Sequence, residues 1–175
     1  MPESRSKNSA PGTVTLRPAE GADLSQIREL FLEYARSLGF SLCFQGFDQE
    51  VAGLPGKYAA PRGRLLLAEV DGKAAGCVAL REWKADICEM KRLFVRPQFR
   101  GLRIGRDLAD RVIAEAREAG YTRMRLDTVA STMADAVALY RRLGFVEILP
   151  YCENPIPDAL YFELSLRQWD QTQTE

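Results

Sequence analysis

The residues best suited to chemistry lie in the stretch Lys91–Arg106, KRLFVRPQFRGLRIGR. An apolar strand pattern stops at Pro97, turns through a loop holding Gly101 and Gly105, and opens directly into a long amphipathic helix pattern. A helix N-terminus presents backbone N–H groups without intrahelical partners and a partial positive charge, so it attracts anions. Arg100, Arg103 and Arg106 add full charges at three-residue spacing, and the glycines let the backbone approach a ligand closely. A phosphate or pyrophosphate suits this arrangement best. No Gly-Lys-Ser/Thr follows and the G-x-G-x-x-G spacing is missing, which argues against a nucleotide triphosphate or a nicotinamide cofactor.

Three further residues carry possible chemistry. Tyr140 lies on an i, i+3, i+4, i+7 stripe with Met133, Ala136, Val137 and Leu143, closed by Gly144 at a helix C-cap position. Periodicity alone makes it a half-buried core tyrosine. Glu89 stands at the start of the strand before the arginine loop, on the same face as Lys91, Leu93 and Val95. Its carboxylate is either a general base or a strand-surface partner of Lys91 or Lys84. Asp127, on the strand before the Tyr140 helix, is the second candidate base, and a water relay without a dedicated carboxylate is the third. The chain has no histidine, so Ser–His–Asp and Cys–His mechanisms and histidine metal sites are excluded. Cys43, Cys77, Cys88 and Cys152 form no C-x-x-C pair and no metal spacing, and read as reduced and structural.

Arg100-Gly-Leu-Arg103-Ile-Gly105 resembles the acyl-CoA-binding motif of the GCN5-related N-acetyltransferases, Q/R-x-x-G-x-G/A, with Arg103 standing where the family usually has glycine. Ala136-Val-Ala-Leu139-Tyr140-Arg-Arg-Leu-Gly144-Phe145 is similar to the A-x-x-L-Y-x-x-x-G-F signature on the family's next helix, with Met133 where an asparagine is often found. The resemblance covers roughly Val14 to Leu166. It implies acetyl-CoA as cosubstrate, no metal, and transfer of the acetyl group to a primary amine of a small molecule or peptide by direct attack in a ternary complex. It also implies that Tyr140 protonates the departing thiolate. The pantetheine arm would lie on the backbones of Leu93, Phe94 and Val95. The loop Arg100, Gly101, Leu102, Arg103, Ile104, Gly105 and Arg106 would take the pyrophosphate, with Met133 and Tyr140 beside the arm. A non-catalytic acyl-CoA sensor or regulatory domain is the alternative.

Composition bounds the partners. Lys plus Arg and Asp plus Glu are 24 each, so the arginine cluster is local on a neutral body and fits a small anion better than nucleic acid. With 46% apolar and 27% charged residues the chain reads as an ordinary globular protein, without a membrane span or leader, placed in the cytoplasm as a monomer or homodimer.

The elements that must position these residues follow from pattern. Residues 1–12 and 169–175 read as tails flanking one domain over 13–168. Strands are expected at Thr13–Arg17, Leu65–Val70, Ala74–Leu80, Ile87–Val95, Met124–Val129, Phe145–Leu149 and Leu160–Leu166. Helices are expected at Asp23–Leu38, near Asp48–Ala52, from the arginine loop to about Ala119, and at Thr132–Leu143. Asp71-Gly72 between two strands is the strongest hairpin signal. The order gives an α/β (α+β) sandwich: a mixed, mostly antiparallel seven-stranded sheet flanked by helices, with a parallel crossover at the arginine-loop helix. This is the acyl-CoA N-acyltransferase fold that the resemblance implies. The acceptor is expected between two loops of unusual composition, the aromatic Phe40–Phe47 with Phe40 and Phe44, which reads equally as a core-packing connection between helices, and Tyr151–Pro157 with Tyr151 and Glu153.

Overall fold

A computed structural model describes residues 12–167. The expected tails at 1–12 and 169–175 fall almost wholly outside them. The chain runs β1 (Val14–Pro18), α1 (Asp23–Ser37), α2 (Phe47–Ala52), β2 (Arg64–Val70), β3 (Lys73–Lys84), β4 (Ile87–Val95), α3 (Ile104–Glu118), β5 (Arg123–Val129), α4 (Ala134–Arg142), β6 (Val146–Ile148) and β7 (Ala159–Ser165). The seven strands form one sheet in the order β1-β2-β3-β4-β5-β7-β6. Every pairing is antiparallel except β4 with β5, the crossover that contains α3. The β2–β3 turn places Asp71 at φ 50° and Gly72 at φ 76°, the left-handed pair that a two-residue hairpin demands.

Both faces of the sheet are covered, which is why its central strands read as nearly continuous apolar runs. On one face Leu66, Ala68, Val78 and Leu80 pack under Ile104, Leu108 and Val112 of α3, with Tyr140 of α4 in the same cluster. On the other, Leu65, Leu67, Cys77 and Ala79 pack under Ile27, Leu30 and Phe31 of α1 and Phe47 and Val51 of α2.

Two local features shape the middle of the sheet. In β4 the register slips: Ala79 pairs with Lys91 but Cys77 with Phe94, so Arg92 and Leu93 stand opposite one β3 residue. This is a β-bulge, and Arg92 takes it up at φ 58°. The backbones are close here, since a Cβ on Gly76 would lie 2.5 Å from the Phe94 carbonyl oxygen. Then β4 and β5 pair only over Ile87–Glu89 with Arg123–Arg125. Beyond Glu89 the two strands part, leaving one edge of β4 free along Lys91–Val95. The gap between them is where the candidate residues converge.

Candidate active site

A cleft of about 1000 Å³ lies at that parting. Its walls are Leu93, Phe94 and Val95 at the end of β4, the arginine loop with the first turn of α3, and residues 131–136 at the start of α4. Of the residues expected at a cofactor, Leu93, Phe94, Val95, Arg100, Gly101, Arg103, Ile104, Gly105, Arg106 and Met133 all line it. Two do not: Tyr140 lines the smaller cavity described below, and Leu102 is exposed at the surface and lines neither. Sequence reading missed Tyr34 and Ser37 of α1, Leu38 just after it, and Leu139 and Arg142 of α4, which complete the walls.

The loop has the backbone that an anion site needs. Gly101 sits at φ 87°, in the left-handed region. Arg103 caps α3 from φ 62°, the same region, so the arginine occupies a conformation that glycine takes without cost. Its carbonyl accepts the first α3 bond, from Asp107 N–H at 3.0 Å, leaving the first-turn amides free to point into the cleft. Gly105 is helical, and a methyl group placed on it would meet only Val95 Cγ2, at 3.7 Å, so its lack of a side chain leaves room on the cleft side. Arg100 Nε donates to the Val95 carbonyl at 3.3 Å and Arg106 pairs with Asp110 at 2.9 Å, while Arg103 has no partner among the described residues.

At the inner end a cavity of about 30 Å³ continues between the parted strands, with room for one or two water-sized groups. Tyr34, Leu93 and Met133 line it in common with the cleft, and Tyr140, Lys91, Asp127, Gln45 and Arg92 close it elsewhere. Tyr140 is packed edge-on to Phe145, and its hydroxyl has no hydrogen-bond partner among the described residues. Burial pushes that hydroxyl above the ordinary tyrosine value, with Tyr34 and Asp127 adding to the effect, so it stays protonated. Met133 is turned to the same place, its sulfur accepting from Thr128 Oγ1 at 3.3 Å.

The far wall is a charged network. Lys91 Nζ lies 3.3 Å from Asp127 Oδ1 and 3.9 Å from Glu89 Oε1. Burial alone would push the Asp127 carboxyl up. The Lys91 charge and hydrogen bonds from Asn154 and Lys91 outweigh it and hold the group below the ordinary carboxylate value. Arg92 is bidentate on Glu50, at 2.8 and 3.2 Å, and gives its remaining arm to Gln45 Oε1 at 2.9 Å.

Four expected residues stand elsewhere, and Glu89 is a fifth. Glu89 is only 1% exposed and lines neither cavity; Arg81 holds its Oε1 at 2.7 Å and the Tyr151 hydroxyl its Oε2 at 2.7 Å. That is the ion-paired alternative to a base, with Arg81 rather than Lys91 or Lys84 as the close partner. Phe40 and Phe44 are half-buried against the α1–α2 cluster and line neither cavity. Tyr151 turns inward to Glu89, and Glu153 is exposed without a partner among the described residues. Their loops do reach the site, through Gln45 and Asn154.

The sequence pattern of the acetyltransferase (GNAT) family matches residues 24–145. The chain belongs to this family. An uncharacterized N-acetyltransferase of Schizosaccharomyces pombe is 41% identical over 146 residues, covering 82% of this chain and 89% of that one. The fold agrees with a GNAT-family acetyltransferase of Staphylococcus aureus at a TM-score of 0.74 and 19% identity, over 89% of this chain and 100% of the other. A spermidine N-acetyltransferase of Vibrio cholerae, solved with CoA and spermine, gives a TM-score of 0.66 at 21% identity, over 87% of this chain and 95% of that one. Membership makes this chain an acetyl-CoA-dependent acyltransferase. Among the described residues of the acetyltransferase, no group of three or more His, Cys, Asp or Glu is placed to hold a metal, and no helix is long and apolar enough to cross a membrane.

Proposed function

We propose that the enzyme moves an acetyl group from acetyl-CoA to a primary amine by direct attack, with both substrates bound across the parting of β4 and β5. One observation carries this reading: the arginine loop and the free β4 edge line the cleft, and Tyr140 lines the small cavity that shares Tyr34, Leu93 and Met133 with it. The cradle fits coenzyme A, since first-turn amides and three arginines supply donors for a pyrophosphate and the unpaired edge of Leu93–Val95 supplies backbone partners for an amide-bearing arm. When bound, acetyl-CoA supplies the thioester carbonyl and a thiol leaving group.

The chain's own residues then have separable tasks. Leu93–Val95 hold the arm against the sheet edge, and this positioning contributes several kcal/mol out of the roughly 7–11 available to well-oriented reactants. Tyr140, kept protonated by burial, gives its proton to the departing sulfur. The amine stands between Tyr140 and the Lys91–Asp127 wall and loses its proton on that side. Glu89, with both oxygens engaged, acts as the anchor of Arg81 and Tyr151 behind that wall rather than as the base.

Arg103 offers a test with two signs. Replacing it by glycine removes left-handed strain worth about 1 kcal/mol and should raise the unfolding midpoint. The same change removes a charge-assisted donor worth about 1.5–3 kcal/mol, so coenzyme A affinity should fall roughly 10- to 150-fold. Thermal melts with and without coenzyme A read both effects on one sample. A stabilised variant with undiminished coenzyme A affinity would remove Arg103 from the pyrophosphate site. The ternary complex is tested by initial rates with both substrates varied: intersecting reciprocal plots are expected, and parallel lines would mean an acetylated enzyme instead.

A further inference from the structure

Two amides meet Asp127 on the far side of the small cavity: Gln45, which lines it, and Asn154, which stands behind the carboxylate. Gln45 Nε2 lies 3.5 Å, and Asn154 Nδ2 3.0 Å, from the same oxygen, Asp127 Oδ2. Gln45 belongs to the turn before α2 and Asn154 to the loop between β6 and β7, so Asp127 ties these two segments together. Neither amide is free to turn over. Gln45 Oε1 accepts from Arg92, which has only donors to offer, and Asn154 Oδ1 accepts from Ile156 N–H at 3.0 Å. Both therefore present N–H to the carboxylate.

We propose that Asp127 is the anchor for the acceptor's amino group, and that Gln45 and Asn154 occupy its place until the acceptor arrives. The assignment rests on the acetyltransferase reading above and adds to it the residue that receives the amine. Three arguments support it. The cavity of about 30 Å³ has room for an amino group and not for what the amine is attached to, so the rest of the acceptor lies outside it, and Gln45 stands at its far wall. On the reading above the donor takes the opposite cleft, which leaves this side for the acceptor. The ligand that replaces two N–H donors on a carboxylate is itself an N–H donor, and a primary amine brings two.

The charges of the wall also suit attack. Lys91 and Arg81 balance Asp127 and Glu89, so an ammonium ion here would be an excess cation beside Lys91. The arrangement favours the neutral amine, accepted through N–H by Asp127 with its lone pair left for the thioester carbon. The nitrogen–carbon bond forms as the carbon–sulfur bond breaks. One amine proton has left to water on binding, the second leaves the nitrogen after attack, and the sulfur takes one from Tyr140, which is reprotonated from solvent. The net products are the N-acetyl amine, free thiol and one proton from the original ammonium.

The test uses the full chain, saturated with acetyl-CoA, and n-butylamine as the probe acceptor. Asp127→Asn keeps the shape and should raise the KM for n-butylamine at least about tenfold, with coenzyme A affinity unchanged. Asn154→Ala removes a competitor for the same oxygen and should lower that KM a few-fold. Opposite movements from two partners of one hydrogen bond are not what a structural contact gives, since breaking a loop tether from either end would raise KM in both. Should Asp127→Asn fold poorly, Asp127→Glu, which keeps the carboxylate, is expected to retain part of the affinity, and Asn154→Ala stands alone as a second measure. A KM unchanged by Asp127→Asn, whatever happens to kcat, or raised by Asn154→Ala, overturns the anchor. So does a failure of n-butylamine either to be acetylated or to bind the coenzyme A complex at tens of millimolar while other amines are turned over. Wild-type protein that binds coenzyme A yet releases no thiol with any amine overturns the acetyltransferase reading and the anchor together.

Discussion

Tyr140→Phe is expected to lower turnover about 10²-fold while leaving the unfolding midpoint nearly unchanged. The two halves of this result come from different parts of the structure. The ring is core: it packs with Phe145 at 5.8 Å and Phe162 at 6.4 Å between centroids, and phenylalanine keeps both contacts. The hydroxyl does no holding, because it has no partner among the described residues and faces the small cavity. Removing it cuts no hydrogen bond, so the penalty of about 1 kcal/mol that follows the loss of a typical internal bond should be missing. Its chemistry, by contrast, has no substitute on the cleft side except Tyr34, which also faces the cavity and is also pushed upward in pKa by burial. Tyr34→Phe is therefore the necessary companion: a larger loss there than at Tyr140 would transfer the acid role to α1. Normal turnover in Tyr140→Phe would return that residue to the core alone.

The largest effect on stability is expected at Glu50→Ala, with a loss of about 3–5 kcal/mol. Arg92 is 4% exposed, and its charge is compensated by the bidentate contact to Glu50. Without the carboxylate the guanidinium keeps only Gln45 and the ring faces of Phe47 and Tyr34, at 5.1 and 5.8 Å, and an uncompensated buried charge remains. Tyr58 loses its acceptor as well, since its hydroxyl donates to Glu50 Oε1 at 2.5 Å. Against a total of about 5–15 kcal/mol this is a large fraction of the fold's stability. Denaturant unfolding of three proteins separates the causes: Glu50→Ala, the pair Glu50→Leu with Arg92→Leu, and Glu153→Ala as an exposed control expected within about 0.5 kcal/mol. The pair should recover much of the loss, because an apolar replacement leaves no buried charge. A single-variant cost below about 1 kcal/mol would mean that water reaches Arg92.

The arginine-loop side of the cleft was legible in the sequence because its signals are local. The arginine loop, the helix it opens and the glycine in left-handed geometry lie within a dozen residues, and each has its own physical signature. The Asp71-Gly72 hairpin and the parallel crossover through α3 followed from turn chemistry and element order. The position of β7 between β5 and β6 was not predictable in this way, since a long connection does not say which edge it returns to.

The far wall was hidden because its contacts join residues distant in the chain. Gln45 meets Asp127 across 82 positions, and Arg92 meets Glu50 across 42. A glutamine in an aromatic turn and an asparagine before a proline carry no sign of what they face. Glu89 drew attention as a carboxylate on the right strand, yet its pairing with Arg81 is set by the β3–β4 register. One local sign was present. Lys91 and Arg92 interrupt an apolar strand, Ile87–Val95, that is buried on both faces, and charges in such a place need buried partners. In the aromatic turn, Phe40 and Phe44 pack against the α1–α2 cluster, the core-packing alternative, and the polar Gln45 beside them is the residue that lines the small cavity.

Transfer of acetyl groups to primary amines at this site can be measured as release of free thiol from acetyl-CoA across a panel of primary amines, with the acetylated product identified by mass. Thiol release should depend on the amine, saturate in both substrates, and yield one N-acetyl amine per thiol. Tight coenzyme A binding with no amine-dependent thiol release would refute the transfer and leave a protein that senses acyl-CoA without using it.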